Sequence, residues 1–190
     1  MLDSIRVIGR GRVGGAVAAR LQERGLLSDA ADAALVLLCV PDSAIREVAR
    51  GIAPGPWVAH VSGATPLSAL DPHVRRFTVH PLQTFTRGRG PEQLDGAWAA
   101  VTASTDEGRA HARWLADTLG LRPFDLADDQ RILYHCGAAI ASNYLVTLYR
   151  AASRALEKAG APPEALVPLM RRTIDNHFEL TGRAAAGDLR

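Results

Sequence analysis

The sequence contains very little lysine. Only Lys158, among 22 basic residues in 190, is a lysine, and all the others are arginine. Arginine stays protonated near neutral pH and seldom serves as a proton-transfer base. Acid–base chemistry would therefore have to come from histidine, aspartate, glutamate, tyrosine or cysteine, with Lys158 as the one lysine candidate.

Cysteine and long apolar runs are also scarce. Cys39 and Cys136 lie far apart in apolar stretches, so we expect neither a disulfide framework nor a metal site, and a reducing cytoplasm is the default location. The longest apolar run, residues 33–40, is far shorter than the roughly 20 residues of a membrane span. Asp3 and Arg6 interrupt any signal-like stretch at the start. We expect no membrane partner.

Charge of one sign is not concentrated anywhere. The formal net charge is +2, and the basic residues are scattered along the chain. Nucleic-acid-binding proteins usually carry a basic face or stripe. We therefore expect no nucleic-acid partner and turn to small-molecule chemistry.

A glycine motif near the start carries the clearest signal. Apolar residues 5–8 lead into G-x-G-x-x-G at residues 9–14, and a helical apolar stripe begins at Val13. Strand, glycine turn and helix follow in the order of a dinucleotide-binding βα unit. The first glycine would turn the chain off the strand, the second would admit a pyrophosphate, and the third would let the helix pack closely. The alternative is a glycine turn that only packs helix against strand.

We expect the cofactor to be NADP or NAD, held at the helix N terminus. Its predicted contacts come from the glycine turn and from the turn after an apolar strand at residues 35–40: Gly9, Arg10, Gly11, Arg12, Val13, Gly14, Val40, Pro41 and Asp42. Asp29 or Asp32 could hold the ribose hydroxyls, although a plain turn role is equally open for each. Arg10 and Arg12 could meet a 2′-phosphate or the pyrophosphate, or simply be solvated.

Strand and helix patterns alternate through the first two thirds of the chain. Strands are predicted at residues 5–8, 35–40, 57–61, 76–79, 97–103 and 122–126, with helices between them that include residues 44–50 and 104–119. This alternation predicts an α/β fold with a Rossmann-type, mostly parallel sheet. The ten or so residues between Gly25 and Leu35 leave room for only a reduced second strand. Asp42 or Ser43, and a Ser104–Glu107 capping box, are the predicted helix starts.

The last third of the chain has a helical pattern. Apolar residues recur at three- and four-residue steps from Asp128 to Lys158, which predicts one long helix with a bend near Gly137, and a second helix follows at residues 164–180. We place a cofactor domain at residues 1–126 and an all-helical domain at residues 127–190. Two helices cannot bury such wide apolar faces on each other alone, so we expect a homodimer through them.

Four polar side chains are candidates for chemistry. Ser62 and His80 each follow a strand at the edge where the glycine turn lies, and His135 and Asn143 share a helical face. Histidine is the side chain best suited to move a proton near neutral pH. Each has a plainer interpretation: His80 could cap a loop, His135 could be a satisfied core or interface histidine, Ser62 could build a turn, and Asn143 could bond protein rather than substrate.

The remaining candidates are weaker. His60 alternates onto the same side as Ser62 and is a spare candidate, whereas His73, His111 and His177 look like surface or loop residues. Cys136 adjoins His135, but neighbours on a helix point in different directions, so a cysteine–histidine nucleophile pair is not expected.

Several of these segments together resemble a known family. They are the glycine motif, V-P-D at residues 40–42, H-x-S-G-A at residues 60–64, H-P-L-Q-T-F at residues 80–85, and a helix that begins Tyr134-His135 and ends Ser142-Asn143. They resemble the uncharacterised Rossmann-like NAD(P)-binding oxidoreductases with a C-terminal helical domain of unknown function. That group is placed with dehydrogenases whose C-terminal domain is like that of 6-phosphogluconate dehydrogenase. The resemblance covers nearly the whole chain, and residues 80–85 are its most specific part.

The resemblance implies roles for two histidines. In prephenate dehydrogenase, a distant relative along with pyrroline-carboxylate reductase, a His-Pro turn contacts substrate beside the nicotinamide, which supports His80 as a polarising or proton-transfer residue. Hydroxyacid dehydrogenases of the superfamily carry a lysine on the long helix, where this chain has His135, so their chemistry is disfavoured. Relatives have a fuller second strand, and they continue beyond a motif that Leu180-Thr181-Gly182 with Gly187-Asp188 echoes.

Together these features predict an NAD(P)-dependent oxidoreductase. Its substrate would be a small carbonyl, imine or hydroxyl compound, with His80 as proton donor or polariser and with Ser62, His135 and Asn143 orienting the substrate. The alternative is a nucleotide-sensing or structural dimer that has lost catalysis.

Overall fold

The first part of the chain forms a six-stranded sheet. The computed structural model describes residues 2–176 and 178. Its strands are β1 (Ile5–Ile8), β2 (Leu35–Leu38), β3 (Trp57–His60), β4 (Arg76–Pro81), β5 (Trp98–Ala103) and β6 (Arg122–Asp125). They lie side by side in chain order, and every neighbouring pair is parallel except β4 and β5, which are antiparallel. The predicted α/β fold with a mostly parallel sheet is confirmed.

The second strand of a full Rossmann unit is reduced to one bridge. Leu27 pairs with Ile5 on the free edge of β1. The Ile5 N–H donates to the Leu26 carbonyl at 2.8 Å, and the Ser28 N–H donates to the Ile5 carbonyl at 2.9 Å. The short connection predicted from the sequence therefore leaves a remnant of the strand and no more.

Helices cover both faces of this sheet. The helices of the first part of the chain are α1 (Arg12–Glu23), α2 (Asp42–Arg50) and α3 (Asp106–Thr118), with short 3₁₀ helices at Leu67–Leu70, Pro91–Leu94 and Asp128–Gln130. One core, with α1 and α3, is built on alternate strand residues such as Leu35, Leu37 and Phe77. The other core, with α2, is built on Val36, Leu38 and Val58. Strands β2 and β3 are buried on both faces, which is why they read as unbroken apolar runs.

Two helix starts differ from the prediction. The N-cap of α2 is Pro41, so Asp42 lies inside the first turn, and neither Asp42 nor Ser43 caps the helix. The N-cap of α3 is Thr105, whose hydroxyl oxygen accepts a hydrogen bond from the Gly108 N–H at 3.1 Å. The N-cap therefore lies one residue after the predicted Ser104, and the predicted capping box is wrong, because the third helical residue is Gly108 and has no side chain to return the bond.

Helices continue to the end of the described residues. They are α4 (Arg131–Ala139), a π-helical segment (Ile140–Tyr144), α5 (Leu145–Lys158) and, after a 3₁₀ turn at Pro163–Ala165, α6 (Leu166–Asp175). The helical character predicted from residue 128 is confirmed, and the departure from regular α-helix falls just after Gly137. Contacts divide the chain into two compact units, Met1–Ala138 and Ala139–Arg190. The boundary we set at residue 126 stays a prediction.

Some predictions fall beyond what can be described. The predicted helix end at residue 180, His177, and the echoed family motif at residues 180–182 and 187–188 lie outside the described residues. Within those that are described, no helix is both long enough and apolar enough to cross a membrane.

Candidate functional site

The glycine turn has the close contacts that its motif requires. Gly9 has a φ of +101°, and a Cβ on it would lie 2.4 Å from the Cys39 carbonyl oxygen. A Cβ on Gly14 would lie 2.0 Å from the Gly9 oxygen. Side chains at these two positions are excluded by backbone that lies too near. A Cβ on Gly11, in contrast, would meet no atom within 4 Å, so open space lies where a diphosphate would approach.

The N terminus of α1 is not blocked by a side chain. Gly11 is its N-cap, with no side-chain hydrogen bond to the helix and no acidic residue in the first turn. Such a terminus offers backbone N–H groups and a positive dipole end to an anion. Arg10 and Arg12 are both exposed beside it, and Val13 is half-buried. Arg10 lies 3.6 Å from the Asp29 carboxylate, which places one of the two ribose candidates next to the turn.

The turn after β2 lies against the glycine turn. The contact between Gly9 and Cys39 joins the carboxyl ends of β1 and β2. Beyond Cys39, Val40 is half-buried, and Pro41 and Asp42 are exposed. The predicted cofactor residues therefore line one edge of the sheet, at the ends of parallel strands where open α/β sheets bind ligands.

Two imidazoles meet over the backbone of the turn that follows β3. A Cβ on Gly63 would lie 2.6 Å from His135 Nδ1 and 2.9 Å from His80 Nε2. The two rings lie with their centroids 6.0 Å apart. His80 Nδ1 is 2.7 Å from the hydroxyl oxygen of Tyr134. We call these four residues (Gly63, His80, Tyr134 and His135) the histidine cluster.

Burial keeps two histidines near this edge, His60 and His80, neutral. The pKa of His80 is lowered to about 4, first by burial and then by the neighbouring His135 and Arg131, while Asp42 acts in the opposite direction. The pKa of the fully buried His60 is lowered to about 3 for the same first reason, with Arg131 adding to it. Both side chains are therefore uncharged at neutral pH, and each keeps one N–H and one lone pair.

A buried arginine holds α4 against the sheet. Arg131 is 1% exposed. It donates to the Thr78 hydroxyl at 2.8 Å, to the Thr102 hydroxyl at 3.0 Å, and to the Ser62 carbonyl oxygen. Its Nε lies 3.9 Å from the Asp128 carboxylate. Because these partners belong to β4, β5 and the turn after β3, the arginine fixes the start of α4 and hence the side chains one turn later.

Not all of the predicted residues come together. His80 and His135 meet in the histidine cluster. The Ser62 hydroxyl, however, donates to the Thr65 hydroxyl at 2.9 Å and accepts from the Thr65 N–H at 3.0 Å, so it builds the turn. The spare candidate His60 accepts the Ser62 N–H on its Nδ1 at 3.2 Å. Asn143 is exposed and belongs to the second unit, and its substrate role stays a prediction.

Two histidines predicted to be surface or loop residues make packing contacts. His73 lies in the loop before β4, as predicted, but it is buried, and its Nε2 donates to the Ala49 carbonyl at 2.8 Å. His111 lies on α3 and is half-buried, with its ring centroid 4.8 Å from that of Trp57. Both fill structural positions, and neither belongs to the histidine cluster.

Sequence reasoning missed Arg131, Tyr134 and Gly63. Arg131, Tyr134 and His135 are spaced three and four residues apart, which places them on one side of α4. An arginine at the start of an otherwise apolar helix was the available signal for the first of them. No group of histidine, cysteine, aspartate and glutamate side chains able to hold a metal ion occurs in the described part of the chain.

Two family models match the chain. Residues 22–84 match a Rossmann-like domain, and residues 97–187 match a domain of unknown function, DUF2520. The chain combines a Rossmann-like domain with a DUF2520 domain. The resemblance seen in the sequence is thereby confirmed. No curated protein matches at a significant level.

Solved structures of other proteins share the fold of this chain. A candidate NADP oxidoreductase from Bacteroides fragilis has a TM-score of 0.79 at 24% identity, covering 98% of this chain and 86% of its own. A protein from Thermotoga maritima has a TM-score of 0.79 at 22% identity, covering 97% and 85%. A 1-pyrroline-5-carboxylate reductase from Streptococcus pyogenes has a TM-score of 0.69 at 15% identity, covering 98% and 85%. At these identities the likeness establishes the fold of the Rossmann–DUF2520 chain.

Proposed function

We propose that this chain is an NAD(P)-dependent oxidoreductase that acts on a small carbonyl, imine or hydroxyl compound. The observation that carries the proposal is the placement of an open glycine turn and of the histidine cluster at the carboxyl ends of neighbouring parallel strands. Gly9 follows β1, Gly63 follows β3, and His80 ends β4. A cofactor held at the glycine turn would therefore lie at the same edge of the sheet as the histidine cluster.

The glycine turn would hold the diphosphate of the cofactor. The vacant space at Gly11 and the uncapped N terminus of α1 suit an anion, and Arg10 and Arg12 add positive charge beside it. Val40, Pro41 and Asp42 would lie along the nicotinamide side. A bound nicotinamide supplies hydride transfer. The structural relatives include NADP and NAD enzymes of the same fold.

His80 would polarise the substrate or exchange a proton with it. Its low pKa makes it a neutral imidazole at pH 7, suited to hydrogen bonding with a carbonyl or hydroxyl group rather than to carrying a full charge. His135 converges on the same point at Gly63, and its Nδ1 has no hydrogen-bond partner among the described residues. We assign substrate orientation to His135, Asn143 and the Ser62–Gly63 turn.

The apolar side chains of the last helices support a homodimer. Several of them are largely exposed in the single chain, at 66% for Leu148, 62% for Leu169 and 61% for Tyr144. Large exposed apolar patches usually mark interfaces, and these side chains supply apolar surface for one. Analytical ultracentrifugation should find a dimer at micromolar concentration, and charged substitutions at Leu148 and Leu169 should dissociate it. A monomeric wild-type chain would contradict this part of the proposal.

Cofactor binding and turnover are tested separately. Titration with NADPH and NADH, monitored by nicotinamide fluorescence, should show saturable binding of at least one of them. No binding of either at millimolar concentration would refute the proposed oxidoreductase function. Turnover is then sought across keto acids and cyclic imines. Binding without turnover would favour a nucleotide sensor. A His80→Ala variant that keeps full turnover would reject the role given to His80.

A further inference from the structure

Tyr134 is held beside His80 from two directions. Its hydroxyl oxygen lies 2.7 Å from His80 Nδ1, and the two rings are nearly perpendicular at 85°. On another side its ring packs edge-on against Phe124, with centroids 5.9 Å apart. One turn earlier on α4, Arg131 fixes the helix to the sheet through three hydrogen bonds. The phenol therefore meets the imidazole in a defined geometry.

The chemistry of the two groups decides which of them donates. A neutral imidazole has one N–H and one bare nitrogen, and the hydrogen bond at one nitrogen selects the state of the other. The bare nitrogen of an imidazole is a much stronger base than a phenol oxygen, so the phenol O–H is the natural donor of this pair. If Nδ1–H donated instead, the half-buried Tyr134 hydroxyl would have to donate its hydrogen to water, because no other protein acceptor for it is found among the described residues.

Burial favours the neutral form of both partners. It raises the pKa of Tyr134 to about 12, and it lowers the pKa of His80 to about 4 with help from His135 and Arg131. At pH 7 the phenol keeps its hydrogen and the imidazole is uncharged. Neither partner of the pair therefore carries a charge over the working range of pH.

We propose that Tyr134 is a positioning residue that holds His80 in the tautomer with hydrogen on Nε2. Nε2 is the His80 nitrogen that lies 2.9 Å from the place a Cβ on Gly63 would occupy. His135 Nδ1 also lies close to that place. Resting on the proposed function, this makes His80 a hydrogen-bond donor to substrate. A donor pairs with an acceptor, so the group bound there presents a lone pair to Nε2, as a carbonyl oxygen or an unprotonated imine nitrogen does.

The ring nitrogens report the tautomer directly. The full chain is labelled with ¹⁵N-histidine, and long-range proton–nitrogen NMR spectra are recorded at pH 7 with no cofactor present, using His80→Gln to assign the His80 signals. We expect Nε2 to resonate as a protonated nitrogen and Nδ1 as a hydrogen-bonded bare nitrogen. Protonation of Nδ1 with a bare Nε2 would overturn the proposal.

Two tyrosine variants separate positioning from general structure. Tyr134→Phe removes only the hydroxyl and keeps the ring on Phe124, and Tyr144→Phe removes an exposed hydroxyl as the matched control. We expect the first variant to shift both His80 nitrogens towards a mixture of tautomers and the second to leave them unchanged. Unaltered His80 signals in a folded Tyr134→Phe chain would also overturn the proposal. If that variant fails to fold, the wild-type spectrum still decides.

The spectrum is independent of turnover. If the wild-type tautomer is as expected but neither NADPH nor NADH binds, the proposed function fails and the tautomer assignment stands. If a keto acid is reduced, Tyr134→Phe should lower kcat about tenfold, the factor that corresponds to one ordinary hydrogen bond, while cofactor affinity stays unchanged. Unchanged kcat would show that the tautomer does not matter to the reaction.

Discussion

Replacing Gly11 by alanine isolates cofactor binding from folding. The added methyl group would meet no protein atom within 4 Å, and Gly11 has an ordinary negative φ of −69°, so the chain itself tolerates it. An alanine in place of glycine at an N-cap costs about 0.5 kcal/mol of stability. The same methyl group would occupy the space proposed for the diphosphate. We expect the Kd for the dinucleotide to rise at least about tenfold, which corresponds to about 1.4 kcal/mol.

Two neighbouring glycines supply the comparison. Gly15 also has no atom within 4 Å of its Cβ position but lies inside α1, so Gly15→Ala should leave binding intact and gain about 0.5–1 kcal/mol from helix propensity. Gly14→Ala would place its Cβ 2.0 Å from the Gly9 oxygen and should unfold or distort the turn. NADPH fluorescence titrations and urea unfolding measure both effects. Equal affinity of the Gly11→Ala and Gly15→Ala chains would refute the placement of the diphosphate.

Three further predictions follow from the histidine cluster and its support. Gly63→Ala would place a Cβ 2.6 Å from His135 Nδ1, so it should abolish turnover while leaving the affinity for NADPH unchanged. Normal turnover would contradict the role proposed for the histidine cluster. Arg131→Met removes the buried donor from which the Thr78 hydroxyl, the Thr102 hydroxyl and the Ser62 carbonyl accept, and it should lower the free energy of unfolding by about 3 kcal/mol, measured in urea. A loss below about 1 kcal/mol would contradict its anchoring role. The pKa of His80 is about 4 in the folded chain against 6.5 for a free imidazole, so between these pH values the unfolded chain binds one more proton than the folded chain. The free energy of unfolding should therefore fall as the pH drops from 6.5 towards 4. A His80→Gln chain should lose less stability over that window, and an equal loss would refute the lowered pKa.

The sequence specified the sheet well because its signals are local. Most strands contain a short apolar run that ends in glycine, proline or a polar turn, and all six predicted strands are present. The lack of space between Gly25 and Leu35 correctly indicated a reduced strand, since a single bridge at Leu27 is what remains. The helix starts were less certain: Ser104 and Thr105 are adjacent, both can cap, and only the packed structure selects the second.

The candidate site could be predicted only in part, because most of it depends on long-range contacts. His80 was accessible to sequence reasoning because it follows a strand at the correct edge. Arg131 was not, since arginine is rarely buried and its three partners lie 29 to 69 residues away in sequence. The burial of the loop residue His73 was not predicted for the same reason, because its partner Ala49 lies on α2.

The anchoring of α4 by Arg131 determines where mutations are tolerated. Residues 63, 80, 134 and 135 all lie within Met1–Ala138, and the contacts described between the two imidazoles and the phenol are made within that unit. A substitution after residue 138 removes none of those contacts. Relatives that share the histidine cluster can therefore differ in their later helices without losing it.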